Sequence, residues 1–139
     1  MVRIKEENGM STRSTAFSFA VAAILMAILD IAWLGIIAKD IYARGCGHLM
    51  AEKVRWGAAI IFYLIYAAGI LRFAVAPANS LTESLRDGAL LGLLVYAVYD
   101  LTNLAILKNW PVGVSIMDVA WGTFATSLVA GAAFWAARR

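Results

Sequence analysis

Cysteine and histidine each occur once in this chain, and each scarcity removes a class of function. Cys46 is the single cysteine among 139 residues, so an internal disulfide is excluded. With Gly47 and His48 beside it, Cys46 makes no metal-binding pattern and reads as a free loop thiol, and His48, the one histidine, reads as an exposed loop residue. A glycine-rich phosphate loop, a paired-histidine metal motif and a nucleophile elbow are all missing. No metal or cofactor is therefore expected. Charge is scarce as well: Asp, Glu, Lys and Arg make up 15% of the residues, against about 25% in an ordinary soluble domain.

Apolar residues take the place of charge, at 63% of the chain, with a mean hydropathy of +0.78. A soluble domain of this size has too little interior to hide so much apolar surface, whereas a bundle of membrane spans leaves it facing lipid. The net charge of +3 is no nucleic-acid signal, because the 12 basic residues lie mostly at the ends of hydrophobic runs, where the positive-inside rule and snorkelling put them.

Residues 1–14 carry Arg3, Lys5, Glu6, Glu7 and Arg13 and read as a disordered cytoplasmic tail, with Met10 as an alternative start. Four apolar runs follow, over residues 15–38, 54–76, 85–107 and 112–137. The first is too long for a signal-peptide core and is expected to stay as a span. Polar segments connect the runs; Pro77 stops the second, and Pro111, after the interfacial Trp110, opens the fourth. On the second run Trp56, Tyr63 and Tyr66 recur at helical spacing and read as packing or interface anchors. The expected fold is all-α, an integral-membrane four-helix bundle forming one domain over residues 15–139. Both termini then lie on one side, which carries seven basic residues against five on the other, favouring a cytoplasmic placement in the inner membrane.

Leu29-Asp30-Ile31-Ala32-Trp33-Leu34-Gly35 aligns with Tyr99-Asp100-Leu101-Thr102-Asn103-Leu104-Ala105 at an offset of 70, and Lys53-Val54-Arg55-Trp56-Gly57 aligns with Asp118-Val119-Ala120-Trp121-Gly122 at an offset of 65. The first two spans thus resemble the last two, as two parallel two-helix repeats would.

Three carboxylates interrupt the apolar runs, and an Asp at mid-membrane costs about 2.5–3.5 kcal/mol on insertion scales, so it normally faces a partner, a cavity or a ligand. At about 1.5 Å per residue, Asp30 and Asp100 lie about 12 and 10 Å from the same loop side, and Asp118 enters about 8 Å from it. All three fall in one layer, on the external side under the favoured topology. The candidate binding set is Asp30, Asp100 and Asp118 with Asn103, Thr102, Tyr99, Trp33 and Trp121; Gly88, Gly92, Tyr96 and Asp100 recur every four residues on the third run, which permits close helix approach. Three acids in one layer do not all ionise cheaply. Arg55 or Lys53 pairs with one, a proton is shared, or a cation binds.

These motifs, with Gly47-His48-Leu49, Phe62-Tyr63-Leu64-Ile65-Tyr66-Ala67-Ala68-Gly69 and Trp110-Pro111, resemble a bacterial membrane-protein family, domain of unknown function 2177, over nearly the whole chain from Thr15. The resemblance implies a small polytopic inner-membrane protein and assigns no activity; the first fourteen residues look like an extension. The residues point to an acidic polar pocket that binds a proton, a cation or a small amphipathic ligand, with transport as the function. Two further classes use the same residues: a membrane lipid-modifying enzyme or an accessory to one, with the carboxylates as acid/base groups or metal ligands, and a structural or assembly subunit. The bilayer, an unidentified small ligand, and a homo-oligomer or membrane partner are the expected associations.

Overall fold

Ser11 accepts a hydrogen bond from the Ser14 backbone N–H at 3.2 Å and thereby starts the first helix, three residues ahead of the apolar run. The computed structural model describes residues 10–139, so most of the tail expected over residues 1–14 lies outside the described residues. Helix α1 (Thr12–Ala32) continues into a π-helical turn, Trp33–Ile37. Helix α2 (Lys39–Cys46) and a 3-10 turn, Gly47–Leu49, form the first connection. Helix α3 (Trp56–Ile70) also ends in a π-helical turn, Leu71–Val75. Helices α4 (Leu81–Ile106) and α5 (Val112–Ala137) complete the chain.

Among the described residues four helices are long and apolar enough to cross a membrane: Thr12–Ile37, Leu81–Ile106 and Val112–Ala137, of 26 residues each, and the shorter Trp56–Val75, of 20. Ile24, Ile28, Ile31, Ile61, Leu94, Leu101 and Ile116 all face outward, as lipid-exposed residues do. The all-α bundle is the architecture the composition requires, and no strand occurs among the described residues.

Helix α4 begins at Leu81, within the segment read as a polar connection, because that segment is a helix cap. Ser80 accepts from the Glu83 N–H at 3.2 Å, and Glu83 reaches back to accept from the Asn79 N–H at 2.8 Å. The turn between α4 and α5 is made by Asn109 at φ 59°, a left-handed conformation that asparagine tolerates well.

Close approach ties α4 to α5. A Cβ on Gly88 would lie 2.5 Å from Ala130 Cβ and 2.9 Å from the Thr126 carbonyl, and a Cβ on Gly92 would overlap the Gly122 carbonyl and Thr126. Ser84 Oγ donates to the Ala130 carbonyl at 3.1 Å and Ser127 Oγ to the Leu85 carbonyl at 2.8 Å, so small residues and hydroxyls lock the same seam. Helix α1 packs on the other side of α5 through Ala22 and Met26. The second span meets α1 along α3 but meets α4 chiefly along its π-helical turn 71–75, where Leu71, Ala74 and Val75 are buried. On the loop side, therefore, α3 stands off from α4.

Candidate functional site

Asp30 sits one turn before the π-helical end of α1, 7% exposed, and its carboxylate is held from two other helices. The Tyr63 hydroxyl of α3 donates to Oδ2 and the Trp121 Nε1 of α5 donates to Oδ1, each at 3.2 Å. Trp121 stacks on Trp33 with ring centroids 4.4 Å apart and planes inclined by 3°. Trp33 is the first residue of the π-helical turn, and its Nε1 donates to the Tyr42 hydroxyl at 3.3 Å. Tyr42 in turn donates to Asp118 Oδ1 through a short bond. Asp30 and Asp118 are thus linked by one relay of donors and stacked rings drawn from α1 and its π-helical turn, α2 and α5.

Tyr42 reaches this position because α2 lies against the start of α5. A Cβ on Gly45 would sit 2.9 Å from Val114 Cγ2 and 3.0 Å from Pro111 Cγ, so the absence of a side chain there lets α2 dock. Burial, followed by the bond to Asp118, pushes the Tyr42 hydroxyl above its ordinary range, so it remains a neutral donor. Cys46, one helical turn on, is buried, and its thiol is pushed up by burial, with Asp118 and Asp100 adding to the effect.

Asp100 lies fully buried behind Asp118, facing Ser115 and Trp110, yet neither of its oxygens has a hydrogen-bond partner at bonding geometry. Ser115 and Trp110 instead satisfy each other, Trp110 Nε1 donating to Ser115 Oγ at 2.9 Å. A buried acid without partners is costly, and native interiors rarely keep one without a use.

In front of Asp118 a cavity of about 620 Å³ opens, with Asp30, Asp118, Trp33, Trp121 and Tyr99 on its walls. Its inner end is closed by Tyr96, whose ring meets Tyr66 edge-on at 6.5 Å, while Tyr66 and Thr126 share a 2.7 Å hydrogen bond. Among the described residues no three His, Cys, Asp or Glu side chains come together as metal ligands.

The expected set is not gathered in full. Asp30, Asp118, Trp33, Trp121 and Tyr99 share the cavity; Asp100 is walled off from it by one carboxylate; Asn103 lies beside the Tyr99 hydroxyl. Thr102 faces outward and spends its hydroxyl on the Val98 carbonyl of its own helix at 2.6 Å. Lys53 and Arg55, expected as counter-charges, are exposed, and Arg55 caps α3 through its backbone carbonyl. Among the described residues the one ion pair is Arg86 with Asp87, at the other end of the bundle. Depth along a helix says nothing about direction around it, so Thr102 is exposed, and Lys53 and Arg55 fall in the connection ahead of α3 rather than on the span itself. Conversely, Tyr42 was hidden in a segment read as a polar loop, and Tyr63 among residues read as packing. The spacing of Lys39, Tyr42 and Cys46, three and four residues apart, is the signal that one face of a short helix lies there.

A family model described as a predicted membrane protein, DUF2177, matches residues 15–135. No curated protein and no solved structure matches the chain.

Proposed function

The chain belongs to the DUF2177 family of predicted membrane proteins and is a multi-pass membrane protein, and from that premise we propose that its acidic layer binds and moves a proton or cation, with a small amphipathic ligand admitted to the adjoining cavity. In this reading it is a transporter of the bacterial inner membrane with cytoplasmic termini. The observation that carries the reading is Asp100: a fully buried carboxylate with no partner, set directly behind a second carboxylate that lines a cavity. Two carboxylates so placed do not both ionise without a counter-ion; one of them otherwise keeps its proton.

Asp100 and Asp118 then carry the proton or cation. Asp30 accepts from Tyr63 and Trp121 and so also fixes the aromatic wall formed by Trp33 and Trp121. Tyr42 holds Asp118 in place from the loop side. Asn103 and Tyr99 stand next to the pair.

The test is flux. In liposomes holding the purified protein, an imposed gradient should drive proton or monovalent-cation movement, and Asp100→Asn and Asp118→Asn should each reduce it by about tenfold or more, a loss of about 1.4 kcal/mol or greater, with helix content unchanged. Undiminished flux in both variants rejects the assignment.

A further inference from the structure

The cavity has features that the movement of a bare proton or metal cation does not require: its size, its aromatic walls and a side that faces lipid. We propose that its occupant is an amphiphile with an organic ammonium head, admitted sideways from the bilayer between α3 and α4; this deepens the reading above and rests on it. The route follows from how the second span packs. Because that span meets α4 chiefly along residues 71–75, its α3 half diverges from α4 toward the loop side, and the cavity lies in the divergence. Phe62 and Tyr63 of α3 line one edge, and Val95 and Tyr99 of α4 line the other. Phe62 is 42% and Tyr99 55% exposed, so the gap between these edges looks into the membrane and carries no charged side chain. A hydrocarbon chain can lie there without being dehydrated first.

The head is specified by charge and by rings. Asp30 and Asp118 face the cavity, and the stacked Trp33 and Trp121 with Tyr63 and Tyr96 surround them. Carboxylates backed by aromatic faces attract an ammonium group through both charge and ring quadrupole. An anionic head meets two like charges in a low-dielectric site, and a neutral head leaves them uncompensated. Lys39 is the one basic side chain on the lining, and it lies on α2, at the loop-side mouth. The volume, about 620 Å³, falls within the usual range for a small organic ligand, about 300–1,000 Å³.

Contact quenching of tryptophan tests this, because Trp33 and Trp121 form the wall. The intact protein in nanodiscs of uncharged lipid is titrated with 12-bromododecylammonium, and separately with bromododecyl sulfate. The expected result is saturable quenching by the ammonium compound at about tenfold or more lower concentration than by the sulfate, a comparison that needs no variant. Val95→Phe, which fills the gap edge, should weaken the ammonium compound by about tenfold, and the Asp30→Asn, Asp118→Asn double variant should bring the two compounds close to parity. Equal quenching by ammonium and sulfate in the unaltered protein, or indifference to Val95→Phe, overturns the proposal. Where quenching is absent but flux still requires Asp100, the amphiphile is overturned and the carboxylate pair stands. Where both are absent, both readings fall.

Discussion

Asp30 and Asp100 occupy equivalent places in the two aligned motifs, yet one accepts hydrogen bonds from two neighbouring helices and the other accepts none. Their removal should therefore have opposite signatures. Asp30→Ala leaves the Tyr63 hydroxyl and the Trp121 ring N–H without an acceptor and should cost about 2–3 kcal/mol. Asp100→Asn replaces a buried carboxyl group that has no hydrogen-bond partner and should leave stability unchanged or raise it. Thermal unfolding in detergent, followed by helical circular dichroism, distinguishes the two; equal destabilisation by both variants would mean that Asp100 is a structural anchor after all. The acids were legible in the sequence because a charge inside an apolar run has few innocent explanations. Their tyrosine partners were not, because Tyr63 at helical spacing on a span fits interface anchoring equally well, and no spacing rule says which hydroxyl reaches which helix.

Helix α2 is eight residues long and contains no apolar run, so nothing in its hydrophobicity separates it from a loop; what holds it is a docking contact made by Gly45. Gly45→Val should lift α2 from Val114 and Pro111, take Tyr42 away from Asp118 and uncover Cys46. In the unaltered protein, burial of the Cys46 thiol predicts slow labelling by maleimide near neutral pH, rising only above the pH at which an exposed thiol ionises. In the variant, labelling near neutral pH should be faster by about tenfold, and its pH profile should return toward that of an exposed thiol. Equal rates would show that Gly45 does not hold α2 in place. The π-helical turns that follow α1 and α3 were equally invisible beforehand: the apolar pattern runs straight through them, and only the first delivers a site residue, Trp33, from its opening position.

At the scale of the whole molecule, the four-span bundle could be read from composition and run length because lipid leaves a chain few alternatives. Around the bundle α1 lies against α5 and the second span against α4, the neighbours that any up-and-down four-helix bundle has. The spread between α3 and α4 was not legible, since it depends on where along their lengths two helices touch. Span length now gives that spread a further meaning. The second span has 20 residues and the other three have 26, or about 30 Å against about 39 Å. Only the short one matches a typical hydrocarbon core of about 30 Å without tilting. Changing acyl length from 14 to 22 carbons should therefore alter quenching by the bromododecylammonium probe several-fold, and a flat response would show that the helices move as one block. A membrane of altered thickness would then tune the protein without any dedicated regulatory site, the shortest helix serving as its gauge.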